Sequence, residues 1–399
     1  MKIDTYTQFG GKHPETATIA NVLANQGFVS PHSGRPFSEA MILGIAGGLG
    51  CGYILWEFEK YDAAILVMGF QNRWNYTVDF MQNLCDRLGV SAEFQETGGQ
   101  KTAQKQLEAA LEAGIAPIAW IDQESLPYFY LRPMYNGCFS HFVTALGLEE
   151  GQVWVDDRAR KPVLVEADDF AKARARIGSY KNRLLLLESN GGEVDVAAAV
   201  TAGIEDCIEH LGRDSQTFAI PVYQKWAKMM TDTKNKKGWP VVFKDGKGLY
   251  STLRSIHEGI KLFGTDGGGL RTMYSNFLSE AAPILNNNAL NDAAERYKAL
   301  GQLWAAFADA VLPERIQPLG ETRKLLAQKY AVYNEKGGEG LDEVGELSGQ
   351  LTDLEIELNS NMPLSAAETN VLFAEIQEHL YGLYTAEKAA LDTLKAAIE

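Results

Sequence analysis

The residues best placed to do chemistry lie in "GCFSHFVTALGLEEGQVWVDDRARKP", residues 137–162. His141 opens an apolar, β-rich run, an acidic turn follows, and Asp156 and Asp157 end the next run. A hairpin of this kind brings the imidazole and a carboxylate near each other. The carboxylate then fixes the ring tautomer and stabilises its cation, as a general base requires. The same pattern also suits a satisfied core histidine beside a turn acid. Four cysteines could supply a nucleophile: Cys51, Cys85, Cys138 and Cys207. They form no C-x-x-C pair, which speaks against zinc and against a disulfide framework, and a small buried hydrophobe is the plain reading of each.

Two glycine-rich segments invite a ligand. "GIAGGLGCGY" lacks the G-x-G-x-x-G spacing after a strand that a dinucleotide needs, and no G-x-x-x-x-G-K-[ST] occurs in the chain. "FGTDGGGLRTMY", residues 263–274, reads as a tight turn between helices or as an anion seat built from backbone N–H groups and Arg271 at a helix start. No cofactor and no metal is implied.

The elements that must position these residues are mixed. Pro14 and Glu15 open a helix that Gly27 stops. Helical patterns at 77–89, 102–113 and 167–177 alternate with β-like runs at 63–70, 116–122, 141–148, 152–157 and 183–188. Beyond a composition change at 188–195 almost every period is helical. Leu290, Ala293, Tyr297, Leu300, Trp304, Phe307 and Val311 recur every three or four residues. Two long helical patterns follow, at about 319–360 and 365–398, with Ser365 and Glu368 forming a capping box. They read as a helical hairpin that pairs chains or packs within one. The fold class is α+β, divided into 1–190, 191–311 and 312–399.

Composition narrows the function. The 399 residues are 46% hydrophobic and 22% charged, with a net charge of −15. An acidic surface repels nucleic acid, no apolar run approaches membrane-spanning length, and "MKIDTYTQFGG" shows no signal-peptide core. Cytoplasm is the expected compartment. Against this background residues 158–183 are basic, with eight cationic against three acidic side chains, and "KWAKMMTDTKNKKGW" at 225–239 is a second basic run. Either is a solvated helix face or a steering patch for an acidic partner.

"KHPETATIANVLANQGF", "PFSEAMILGIAGGLGCGYILWEF", "HFVTALGLEEGQVWVDD" and "DDFAKARARIGSYKNRLL" together resemble the N-terminal domain of the butirosin biosynthesis protein H family. "HEGIKLFGTDGGGLRTMYSNFLSEAA" is similar to the uncharacterised helical domain that often follows it, so the resemblance covers about residues 1–310. It implies a papain-like fold, a place in secondary metabolism, and transfer of an acyl group from a carrier-protein thioester, through a cysteine, to a small-molecule amine. It assigns proton transfer to His141, orientation of the ring to Asp157 rather than Asp156, and the oxyanion role to Gln8. The two side chains should then lie within about 3.5 Å of each other, facing a cleft.

The family's His-Cys pair is His13-Pro14 here, so the nucleophile is missing from its position. Three readings follow. Cys51 takes the role, with Gly50 and Gly52 letting the backbone approach the substrate. Cys138 takes it. Or covalent chemistry is lost, and a degenerate fold binds a small molecule or protein, or transfers directly. His13 and Arg271 complete the expected substrate contacts. The expected partner is an acidic acyl carrier protein at Arg158, Arg160, Lys161, Arg174 and Arg176.

Overall fold

The computed structural model describes residues 1–176, 181–189, 191, 192 and 194–399, and among them no helix is long and apolar enough to cross a membrane. The chain forms two compact units, each assembled from three separate stretches. The first holds Met1–Ile42, Leu84–Val196 and Gln328–Gly349; the second holds Leu43–Asn83, Ala197–Ala327 and Gln350–Glu399. The units therefore cross the divisions expected near residues 190 and 311.

The first unit is built on a fully antiparallel sheet of six strands: β1 (Val90–Gln95), β2 (Ile118–Asp122), β3 (Ser140–Glu149), β4 (Gln152–Asp156), β5 (Val163–Glu166) and β6 (Leu184–Ser189). Their order is β1-β6-β2-β3-β4-β5. Three helices pack on it: α1 (Pro14–Asn25), α2 (Gln100–Glu112) and α3 (Ala167–Arg176). The helix expected over 167–177 ends at Arg176, and Ile177 lies outside the described residues, as do Asn190 and Glu193 of the composition break.

β3 is buried almost from end to end, because it sits inside the sheet and meets helices α1 and α2. β1 and β5 were not legible as strands. β5 alternates buried and exposed residues but is only four residues long, and β1, "VSAEFQ", carries a charge in its middle. One face of the sheet packs Val143, Ala145, Val153 and Val155 against Leu107 of α2 and Phe170 of α3. Strand alternation then sends Asp156 to the opposite side from Asp157, which follows the last residue of β4.

The second unit is mainly helical: α4 (Val196–Leu211), α5 (Pro221–Thr231), α6 (Leu249–Lys261), α7 (Arg271–Ile284), α8 (Ala289–Val311) and α9 (Ala366–Ile398). The seven apolar positions read from α8 are all buried. The glycines between α6 and α7 make the tight turn expected there: Gly267 and Gly269 have φ of 94° and 59°, and Asp266 Oδ1 accepts from the N–H groups of Gly268 and Leu270. A ribbon of Ile54–Phe58 and Ala63–Val67 lies beside α6. There Ser251 and Ser255 hydroxyls accept the N–H groups of Ala64 and Leu66, so the ribbon's outer edge is not left bare.

The tail departs from the expected hairpin. Its first helical pattern is two helices, Gln317–Lys336 and Leu341–Ser360, separated by a 3-10 turn at Gly337–Gly340. The left-handed φ of 51° at Gly337 explains the break. The second pattern is α9, opened by the predicted capping box of Ser365 and Glu368. Its stripe of Phe373, Ile376, Leu380, Leu383 and Leu394 is buried within this chain, where α9 runs along α8 and α5. A continuous apolar stripe needs long helices of matching length, and α8 supplies one. Leu380→Ala, at a fully buried position, is expected to cost about 2–5 kcal/mol, read as a lower urea midpoint with an unchanged slope.

Candidate functional site

Asp157 is the centre of the site in the first unit. It is fully buried, and three side chains donate to its carboxylate: His141 Nε2 at 2.8 Å and Arg158 Nε at 2.9 Å to Oδ1, and the Tyr128 hydroxyl at 3.0 Å to Oδ2. The Tyr333 hydroxyl donates to its backbone carbonyl at 3.3 Å, and the Tyr128 and Tyr333 rings stack. The expected contact of His141 with Asp157 rather than Asp156 is therefore present. Arg158 holds a left-handed φ of 61°, which turns the chain sharply after β4 and folds its guanidinium back onto Asp157.

The charge states follow from these partners. Arg158 and His141 hold the Asp157 carboxyl well below the usual carboxylate range despite its burial. His141 is 1% exposed, and burial pushes it below its ordinary value, with the Arg158 cation acting in the same direction. An ionised carboxylate only accepts, so the neutral ring carries its proton on Nε2 and its lone pair on Nδ1. In an isolated His–Asp pair the carboxylate favours the imidazolium. Here burial outweighs that effect, with Arg158 adding to it, and the neutral base form wins.

Asp156 belongs to a separate clamp. Gln8 Nε2 donates to its Oδ1, and the Tyr6 hydroxyl and Asn21 Nδ2 donate to its Oδ2, each at 3.2 Å. Gln8, expected as an oxyanion donor, thus spends an amide N–H on a buried carboxylate. Burial is the main reason that the Asp156 carboxyl rises to about 6.

The start of α1 holds Pro14, as read from the sequence. His13 is buried there, its ring between Thr16 Oγ1 and Glu15 Oε2. Glu39 accepts from the N–H groups of Lys12 and His13 and from the Thr16 hydroxyl, so a carboxylate from elsewhere in the chain caps the helix start. Beside it lies a pocket of about 430 Å³ whose polar lining includes Lys12, Asn21, Glu39, Arg158, Arg160 and Asn334. Phe9, Pro36 and Phe37 provide apolar wall, and His141 is not among the lining residues. Arg158 therefore links the buried carboxylate to the pocket.

The remaining expected site residues belong to the second unit and are corrected by it. Arg271 is not an open cation for a ligand. It is fully buried, donates through Nε to Glu387 Oε1 at 2.9 Å, and also bonds the carbonyls of Gly269 and Gly50 and the Tyr223 hydroxyl. Trp304 Nε1 donates to the same Glu387 oxygen.

Cys51 packs in this cluster, its sulfur 3.8 Å from Arg271 Nη2. Burial and the Glu387 carboxylate push its thiol up to about 12. It is held as a thiol, which is the wrong state for a nucleophile. The Gly50 N–H donates to the Phe70 carbonyl at 2.8 Å and is spent. A Cβ on Gly50 would meet Gln71 O at 2.1 Å, and one on Gly52 would meet the Trp74 ring at 2.6 Å, so these glycines serve close packing. Cys138, in the first unit, is half-buried, and its thiol is also raised by burial.

Nor is the basic stretch one surface. Arg174 is buried and donates to the carbonyls of Ala103 and Asn182, and Arg158 is occupied as described. Lys161 pairs with Glu339, Arg176 donates to Asn136, and Arg160 is exposed. Sequence reasoning missed the roles of Tyr128, Tyr333 and Glu39. Only Arg158 carried a signal, its place directly after two aspartates.

The family model described as "Butirosin biosynthesis protein H, N-terminal" matches residues 13–158, and a domain of unknown function, DUF4872, matches 168–329. No curated protein matches the chain.

Two measurements check the charge assignments. Arg158→Gln should raise the His141 pKa in a ring NMR titration, because it removes the cation that opposes protonation; an unmoved value would contradict the assignment. For Asp156 the folded value of about 6 exceeds the unfolded 3.8. The native state then binds more protons, and stability from this group is full below pH 4 and falls as pH rises to 6. The loss is on the order of 3 kcal/mol. Asp156→Asn should flatten that decline in denaturation curves taken across the window.

Proposed function

The chain belongs to the butirosin biosynthesis protein H family, and from that membership we propose that its first unit is a papain-like frame for acyl or aminoacyl transfer to an amine, run without a cysteine acyl-enzyme. The observation that carries this reading is the start of α1. A helix with Pro14 and a Glu39 cap stands where the family resemblance puts a thiol, while the neutral His141 with its Asp157 and Arg158 partners is intact.

In this scheme the amine attacks the thioester carbonyl directly. The C–N bond forms, the C–S bond breaks, and the nitrogen's proton passes to His141 Nδ1 and on to the leaving thiolate. Asp157 holds the ring in the tautomer that carries its proton on Nε2, so the basic nitrogen is Nδ1. In this reading the pocket at Lys12, Glu39 and Arg160 holds a part of the ligand remote from the reacting amine, since His141 does not line it. The acyl donor is an acidic carrier protein met by Arg160, Lys161 and Arg176, which are exposed, as are Lys172 and Lys181 of the same stretch.

The 1% exposure of His141 favours a second reading, a degenerate frame that binds a small molecule or protein partner without turnover. The two separate by incubating the protein with an acyl N-acetylcysteamine thioester and a panel of primary amines. Direct transfer predicts amide product, no acyl adduct on any cysteine by intact mass, full activity in Cys51→Ala, and a loss of about 10²–10⁴-fold in His141→Gln. A His141-dependent acyl-cysteine would overturn the direct route, and absence of product with every amine would leave the binder.

A further inference from the structure

The pocket beside α1 has a charge pattern that the proposed reaction does not call for. Its lining carries three cations, Lys12, Arg158 and Arg160, against the single carboxylate of Glu39, in a chain whose net charge is −15. That carboxylate is already committed. Both of its oxygens accept from the Lys12 N–H, and Oε1 also accepts from the His13 N–H at 3.1 Å and the Thr16 hydroxyl at 3.1 Å. It has little left to offer an ammonium group.

The cations are differently disposed. Arg158 is 8% exposed and pinned by Asp157 on its Nε, with Nη1 directed to the Lys12 carbonyl at 3.4 Å. Lys12 and Arg160 are exposed, and Arg160 is held in place by its own N–H bond to the Asn334 carbonyl at 3.2 Å. One buried and two exposed cations around a cavity of about 430 Å³ suit a small anion, since charge-assisted bonds from guanidinium and ammonium groups are the strong ones. The wall of Phe9, Pro36 and Phe37 adds apolar area for a flat body, and Phe37 is stiffened by stacking on Phe28 at 5.5 Å.

We propose that this pocket binds a small organic anion, a carboxylate or phosphate monoester on a flat apolar body, with Lys12 and Arg160 closing on the anionic group beside Arg158. The inference rests on the reading of this pocket as the ligand site and names the chemistry it selects. An amine substrate then enters by its anionic end, and an amine without one is disfavoured. Arg158 connects recognition to the buried pair, because a ligand anion near its guanidinium competes with Asp157 for the same charge.

The test is ligand-observed NMR on the full chain with four probes of one shape: benzoate, phenyl phosphate, benzamide and benzylamine. Benzoate or phenyl phosphate should bind at least about tenfold more tightly than the two non-anionic probes. Binding of benzoate alone assigns a carboxylate ligand, and of phenyl phosphate alone a phosphate ligand. Added salt should weaken either, and Lys12→Glu with Arg160→Glu should remove binding at an unchanged melting temperature. If that variant melts early, Lys12→Gln with Arg160→Gln replaces it, with at least about a tenfold loss expected.

Equal binding of benzylamine or benzamide, unchanged affinity in the variants, or no binding of any probe at millimolar concentration would overturn the proposal. Benzoate affinity without any amide product leaves the anion site standing and removes the transfer reading. Product from an uncharged amine, with no benzoate affinity, does the reverse.

Discussion

The first unit depends on one constraint, a fully buried carboxylate. Leaving Asp157 charged inside the protein costs several kcal/mol unless its oxygens are bonded and its charge is matched. Matching it recruits four parts of the chain. β3 contributes His141, the 3-10 turn after β2 contributes Tyr128, the left-handed residue after β4 contributes Arg158, and the distant helix Gln317–Lys336 contributes Tyr333. Each of these elements is fixed in register by what it must deliver. The side effect is chemical. Burial keeps the imidazole neutral, Arg158 acts in the same direction, and the bond to Asp157 fixes its orientation.

Neighbouring Asp156 shows the same constraint solved differently. Its partners are neutral donors, Tyr6, Gln8 and Asn21, and among the described residues it forms no ion pair. Hydrogen bonds alone do not offset the desolvation, so its proton affinity rises where that of Asp157 falls. Two adjacent residues of one type thus end with opposite shifts, set by which face of the strand each one occupies. What Asp156 gains is a hold on the segment around Gln8 and on α1, which between them supply Phe9, Lys12 and Asn21 to the pocket.

Much of this was legible in the sequence, for reasons that are local. His141 shares one hairpin with Asp156 and Asp157, so a short turn was enough to bring it near both, and the family resemblance chose Asp157. The helix α8 and the capping box of α9 were written in spacing and in single residues. The illegible parts depend on contacts between distant segments. Nothing near Tyr333 marks it as a partner of Asp157, and nothing near Glu39 marks it as the cap of α1. Arg271 and Cys51 misled for the same reason: an arginine at a glycine-rich turn resembles an anion seat until Glu387, more than a hundred residues later, is seen to occupy it. Arg174 likewise counted as surface charge while its guanidinium was bound to backbone carbonyls inside the unit.

The substitution at the helix start has a consistent physical logic. A catalytic thiolate at that position would need the positive end of the α1 dipole for itself. Pro14 has no N–H to donate and no group to ionise, and Glu39 takes the N–H groups of Lys12 and His13 just before it. A cysteine at residue 14 would therefore have the Glu39 carboxylate nearby, and a neighbouring negative charge raises a thiol pKa. In the reading proposed above, the surroundings of residue 14 disfavour a thiolate as the proline itself does. In that reading the cations at Lys12, Arg158 and Arg160 serve recognition.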